Sequence, residues 1–251
     1  MYLFINNIKL NFYKNIKNNF FYIHLASAMF VISLFLFYYY NSPWSEQSKV
    51  TAYIQIVACA FPMMSSIIIA LNFKLESQNL FNMLIGAPNS KFLSHFNNIL
   101  FLLIEGCITS LIALIGFGIV FKTMGNQFFS ISIYIYSSVL MLMINYIIYT
   151  LIYIITYQFG KSLGIMIGVF GSILSAIMLT GLGESIWFYI PFSIVSRLPS
   201  HLIISKTNNT NYFLQPEIIK ACISCIVLYF IVTILFYIWS NKWEGRYVDK
   251  E

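Results

Sequence analysis

The chain has 251 residues, of which 59% are hydrophobic and only 9% are charged, with a formal net charge of +6. Soluble domains carry about 25% charged residues, and a soluble core of this length cannot hide so much apolar surface. A soluble enzyme or binding module is therefore excluded, and the scattered basic residues are read as setting orientation in a bilayer, not as binding nucleic acid.

Taken from the start, "MYLFINNIKLNFYKNIKNNF" places Ile5, Ile8, Phe12 and Ile16 on one helical face and Asn7, Asn11, Lys14 and Asn18 on another. This pattern predicts an interfacial helix over 1–19 on the inner leaflet. The alternative is a positively charged leader that only fixes topology. Ala26-Ser27-Ala28 resembles a cleavage site, but too few apolar residues precede it and the apolar run continues to Tyr40, so a signal peptide is not expected.

A spanning helix needs about 20 apolar residues to cross about 30 Å of hydrocarbon, and helices satisfy their own backbone in lipid. Six segments qualify, at about 20–41, 51–73, 97–122, 130–157, 163–183 and 218–240. With a cytoplasmic N-terminus, Lys9, Lys14, Lys17, Lys74, Lys91, Lys161, Lys242, Arg246 and Lys250 lie inside. Lys49, Lys122, Arg197, Lys206 and Lys220 lie outside. This bias predicts both termini in the cytoplasm. Frequent Ile, Asn, Lys, Phe and Tyr suggest an AT-rich bacterial genome.

Between the second and third spans stands "NFKLESQNLFNMLIGAPNSKFLSH", the largest inside loop. Leu80, Met83 and Leu84 make an apolar stripe, and Lys74, Glu76, Gln78, Asn79 and Asn82 supply a polar side. Gly86-Ala87-Pro88 is expected to stop this helix, because Gly tolerates a left-handed terminus and Pro cannot continue the ladder. Asn89 or Ser90 can cap the next helix. The segment 74–92 is thus read as a short helix, a turn and a second helix start. It is either an ordinary hairpin loop or a lever that a soluble partner can grip.

The placement of Glu76, Leu84, Gly86, Ala87, Pro88, Ser90 and Lys91 resembles the coupling helix of ABC-2 type transporter permeases. The six-span layout, the N-terminal interfacial helix and the long outer segment extend the resemblance over nearly the whole chain. Within that family the chain looks most like permeases of lantibiotic immunity and of phenol-soluble-modulin export. The resemblance implies an all-α membrane protein forming a single permease domain over 1–251, itself non-catalytic. A separate ABC ATPase subunit would bind ATP and Mg and dock on Lys74, Glu76, Asn79, Leu84, Gly86, Pro88 and Lys91. It implies an amphipathic peptide as cargo, moved out of the cell or membrane for secretion or self-immunity. A second permease copy, or a related permease, should complete the path.

Other residues invite chemistry. Glu105 is the one acidic residue inside a predicted span, roughly 12 Å past Asn97 at about 1.5 Å per residue. An ionisable group there should face a cavity or a partner, so it lines a polar path or packs helices. The span-5 ladder Gly164, Gly168, Ser172 and Ala176 permits close packing, internally or across a dimer. The outer segment 184–217 is too apolar for a free loop, and too broken by Pro191 and Pro199 to cross and return, so re-entrant or surface-lying helices are expected. Trp187, Phe188 and Tyr189 suit the headgroup region. By resemblance, Trp187, Pro191 and Arg197 belong to an outer gate.

Gly160-Lys161-Ser162 lacks the Gly five residues earlier that a phosphate loop needs, position 155 being Ile. Cys59, Cys107, Cys222 and Cys225 lie in apolar runs and imply no disulfide framework. His24, His95 and His201 lack metal-ligand spacing. Two alternatives stand beside peptide export. One is an ABC-2 permease for lipid or polysaccharide, with Tyr134, Tyr136, Asn145, Tyr146 and Tyr149 as a sugar path. The other is an intramembrane protease, for which the paired Glu and His groups are missing.

Overall fold

The computed structural model describes residues 20–85, 90–125, 129–208, 211 and 214–246. The helices are α1 (Phe20–Tyr40), α2 (Glu46–Gln78), α3 (Asn82–Ile85), α4 (Lys91–Thr123), α5 (Ile131–Phe159), α6 (Lys161–Met178), α7 (Pro191–Thr207) and α8 (Pro216–Lys242). Two 3-10 turns, Gly181–Gly183 and Trp187–Tyr189, precede α7. No strand occurs among the described residues. Five helices, α2, α4, α5, α6 and α8, are long and apolar enough to cross a membrane. In α1 the apolar stretch is the shorter Leu25–Tyr40. The interfacial helix expected over 1–19 lies outside the described residues.

The long helices alternate in direction. One end of the bundle, the near end, carries the α2–α4 reversal, the α5–α6 junction and the C-terminus of α8. The far end carries the α1–α2 and α4–α5 connections and the segment before α8. Both α2 and α4 have 33 residues, about 50 Å at about 1.5 Å per residue. They outrun the expected spans because each has a polar cap beyond the apolar run. Ser45 Oγ accepts from Ser48 N, and Ser90 Oγ accepts from Leu93 N, each at 3.3 Å.

Helix ends leave carbonyls without partners, and in lipid these must be satisfied internally. Cations from other elements do this repeatedly. Lys49 Nζ donates to the Tyr39 carbonyl at the end of α1 at 2.9 Å. Arg197 donates from Nε to Met178 O at 2.7 Å and from Nη2 to Thr180 O at 2.8 Å, closing α6. Lys91 Nζ reaches Trp243 O at 3.1 Å after α8, and Arg246 Nη1 reaches Gln158 O at 3.3 Å at the end of α5. Positive charge at a helix C-terminus also opposes the macrodipole. Helix α6, where a span at about 163–183 was expected, therefore stops at Met178: Arg197 holds the carbonyls that a longer helix would use.

The most extensive contact joins α2 to α6. Pro62 lies inside α2 and interrupts the helical ladder. The neighbouring Met63 N–H donates instead to Ser172 Oγ on α6 at 2.9 Å. Gly168 packs against Ser66 and Pro62, and Gly164 against Thr156 of α5. Gly164, Gly168 and Ser172 therefore face the interior, where they bring α6 onto α2 and α5, whereas Ala176 at the end of the ladder is exposed. The opposite face of α6 exposes Met166, Phe170 and Ile173.

Far-end cohesion is aromatic. Tyr53 Oη donates to Ala113 O at 2.8 Å, and its ring stacks on Phe117 at 3.7 Å between centroids. A Cβ added at Gly168 would stand 2.7 Å from the Pro62 carbonyl oxygen. Gly168→Ala is expected to destabilise the protein by about 1–3 kcal/mol through overpacking, read as a lower thermal midpoint in detergent. Gly181→Ala, whose added Cβ meets nothing within 4 Å, should leave the midpoint unchanged.

Candidate functional site

The near-end reversal differs from the expected helix and turn. Lys74 and Glu76 belong to the last turns of α2, which ends at the Asn79 cap. Leu80 N donates to Ser77 O at 3.0 Å and Phe81 N to Glu76 O at 2.9 Å. This is a Schellman closure with Leu80 at the left-handed position. Leu80 and Phe81 have φ of 52° and 54°, a conformation that costs a side-chain-bearing residue about 1–2 kcal/mol. The helix therefore stops well before Gly86, on a residue that propensity would not choose.

The apolar stripe is divided accordingly. Phe81 and Leu84 are buried, whereas Leu80 is 76% exposed and Met83 40% exposed. Of the segment 74–92, expected as a short helix, a turn and a second helix start, the first residues belong to α2 and the separate short helix is the single turn α3. Gly86 and Pro88 lie outside the described residues. Lys74 and Asn79 are exposed and Glu76 is buried. Lys91 points at the Trp243 carbonyl, so the structure gives it a capping contact.

Behind the reversal lies a network that the sequence pattern did not announce. Asn98 Nδ2 on α4 is 2.9 Å from Asn72 Oδ1 on α2 and 3.2 Å from both Tyr153 Oη and Tyr157 Oη on α5. Tyr157 Oη donates to Asn72 Oδ1 at 2.8 Å, and His95 Nδ1 pairs with Tyr153 Oη at 2.9 Å. Glu76 lies within electrostatic reach of both tyrosines. Rings close the cluster. Tyr153 stacks on Tyr157 at 4.1 Å, and Trp243 meets His95 at 5.0 Å and Phe81 at 5.2 Å. Trp243 Nε1 donates to Tyr157 O at 3.3 Å. The spacings His95–Asn98 and Tyr153–Tyr157 put these groups on single helix faces, which was the available signal.

Deeper along the α4–α5 seam sits Glu105, 5% exposed. Beside it, Gly106 lets α4 approach Tyr149, since a Cβ there would be 3.2 Å from Tyr149 Cζ. Glu105 Oε2 and both amide atoms of Asn145 are buried without a hydrogen-bond partner among the described residues. Of the tyrosines considered for a sugar path, Tyr134 and Tyr149 are core residues packed on Gly118 and Gly106. Tyr146 bonds Thr233 of α8 at 3.0 Å. Between α8 and the α4–α5 pair lies a groove of about 850 Å³ lined by Ile99, Leu103, Met143, Ile147, Ile226 and Phe230. Among the described residues, no group of three or more His, Cys, Asp or Glu side chains is placed to hold a metal ion.

At the far end, Pro191 opens α7 at its first turn, where a missing N–H costs nothing. Pro199 lies inside the continuous helix and does not break it. Among the described residues the outer segment holds the 3-10 turn Trp187–Tyr189 and one long helix packed on α2, α5 and α6, not a helix pair. Trp187 is fully buried, so it is not a headgroup anchor. Its ring stacks on His201 at 5.1 Å, and the Arg197 guanidinium lies 5.8 Å from its centroid. Ser193 Oγ donates to Trp187 O at 2.6 Å. Arg197, expected at a gate, holds α6 and α7 together.

His201 Nε2 lies 3.8 Å from Glu217 Oε2 of α8. Burial, with Arg197 nearby, holds the His201 pKa below its ordinary value, although Glu217 and Gln215 pull it upward. The imidazole is therefore treated as neutral at pH 7, and the Glu217 contact as polar rather than ionic. A folded-state pKa below the unfolded one means that stability is complete above about 6.5 and declines as pH falls below it. The thermal midpoint is expected to drop between pH 7 and pH 5, and His201→Phe, which keeps a ring on Trp187, should flatten that dependence.

Compared with known proteins, the chain matches no protein-family model, no curated protein and no solved structure.

Proposed function

We propose that the chain is the membrane permease subunit of an ATP-driven exporter of the ABC-2 type. In this reading it crosses a bacterial plasma membrane six times with both termini inside, and the near end faces the cytoplasm. A separate ATPase subunit binds ATP and Mg and grips the α2–α4 reversal. A second copy or a related permease completes the path, and the cargo is an amphipathic peptide, exported or cleared for self-protection.

The observation that carries the reading is the reversal itself. Two 33-residue helices run past the bilayer thickness and close on a strained turn that presents Leu80 and Met83 outward. Beneath it, Asn72, Asn98 and Tyr157 tie α2, α4 and α5 into one base. A force applied at Leu80 would therefore move three helices together. The apolar groove beside α8 suits an apolar peptide face or a lipid better than a sugar, which needs convergent polar groups. A protease reading lacks support, since His95 is ten residues from Glu105 along α4 and is engaged by Tyr153.

The test is mild-detergent purification of the tagged chain from native membranes, with mass spectrometry of what co-purifies. A stoichiometric ATPase with a Walker motif is expected. Leu80→Asp with Met83→Asp should reduce that ATPase at least tenfold while membrane insertion stays unchanged. A chain that purifies without an ATPase in several detergents would defeat the reading.

A further inference from the structure

Helix α8 is attached to the bundle at its two ends and, between them, through buried Val232 and the contacts of Tyr229 and Thr233 with Tyr146 of α5. At the far end Ile218 and Ala221 are buried, and Lys220 Nζ lies 5.1 Å from the Phe188 ring centroid. At the near end Phe236, Ser240 and Trp243 are buried. Between them Ile223, Ile226, Val227 and Phe230 are exposed, and the helix stands off from α4 and α5 across the groove of about 850 Å³.

Within the helix, Trp239 Nε1 donates to Gln158 Oε1 at 2.9 Å, and the rest of the near-end attachment runs through a short strap, 243–246. Trp243 leaves the helix in extended conformation. Its ring packs on Phe81 of the reversal at 5.2 Å and on His95 of α4 at 5.0 Å. Its Nε1 donates to Tyr157 O of α5 at 3.3 Å, and its carbonyl accepts from Lys91 Nζ at 3.1 Å. Two residues on, Gly245 has φ +98°, and a Cβ there would lie 2.8 Å from Ile85 Cδ1. A side chain at 245 would thus be strained by backbone and crowded by α3. Arg246 then fixes the strap to the Gln158 carbonyl. One residue at the end of α8 therefore touches the α2–α3 turn, the start of α4 and the end of α5.

We infer that Trp243 is a positioning residue that transmits displacement of the Leu80–Phe81 turn to α8, so that movement of the turn changes the width of the groove between α8 and the α4–α5 pair. The physical reason is rigidity. Phe81 and Trp243 are both buried, and packed side chains shift together because interiors have little free volume. With its far end held by Ile218 and Ala221, α8 swings about that end, and the 222–230 stretch that borders the groove moves against α4 and α5, with Tyr229 and Thr233 shifting against Tyr146. The inference rests on the permease reading for the source of the displacement, but the contact itself does not.

Two measurements separate them. In the full-length chain in lipid nanodiscs, hydrogen exchange is followed with no partner present. Trp243→Ala is expected to speed exchange at least fivefold both in 237–242 and in 79–85, and Trp243→Phe less than twofold. Acceleration confined to 237–242 would overturn the inference. In the complex with its ATPase, Trp243→Ala should lower transport at least tenfold while ATP hydrolysis stays within twofold. Phe81→Ala, which removes the other side of the contact, should do the same. Full transport by both variants, or equal loss of transport and hydrolysis, would also overturn it. Should no ATPase associate with the unsubstituted chain, the permease reading falls and the exchange result still decides the contact.

Discussion

Three helices share one polar knot, and most of the near end depends on it. Asn72, Asn98 and Tyr157 come from α2, α4 and α5 and hydrogen-bond one another at 2.8–3.2 Å, with Asn98 Oδ1 left buried and without a hydrogen-bond partner among the described residues. A buried polar group without a partner costs about 1–3 kcal/mol, so no member can turn away without stranding the others. The knot fixes the register of α4 against α5, and with it the stack of Tyr153 on Tyr157. It also places Trp243 over the Tyr157 carbonyl. The reversal at Leu80–Phe81 closes against this base, which is how a bulky residue is held in a left-handed conformation.

A second constraint is backbone satisfaction. The chain has few cations, and four of them, Lys49, Lys91, Arg197 and Arg246, cap helix ends from other elements. Two of these carried functional expectations, Lys91 for ATPase coupling and Arg197 for an outer gate. Their observed contacts are structural. Each also sits where two elements meet, Lys91 between α4 and α8 and Arg197 between α6 and α7. A structural contact and a proposed functional role therefore coincide at the same atoms.

Hydropathy made the long helices legible, because roughly 20 apolar residues have few other destinations. Their ends were less so. Helix α2 runs on to Gln78 although its apolar run stops near Phe73, and only the cap geometry at Ser77–Phe81 explains why. Gly86-Ala87-Pro88, which composition favours as a stop, lies outside the described residues, whereas α2 closes at Leu80, a residue that propensity would not choose. The ladder Gly164, Gly168, Ser172 was visible, but which neighbour it faced depended on Pro62 and on the Met63 N–H bonded to Ser172 beside it. His95 looked like an isolated histidine because its partner lies 58 residues away. Side chains on one helix face can be read from spacing; which face meets which needs the antiparallel register, and no residue type encodes that.

Asn72, Asn98 and Tyr157 act as a unit binding three helices, and a double-mutant cycle tests this most directly. Asn72→Ala, Tyr157→Phe and the pair are compared, with unfolding followed in detergent. Residues sharing a network show coupling of about 0.5–3 kcal/mol, so the double variant should be destabilised by less than the sum of the singles by that amount. Additive losses would contradict the account, leaving the two side chains as independent packing residues on neighbouring helices.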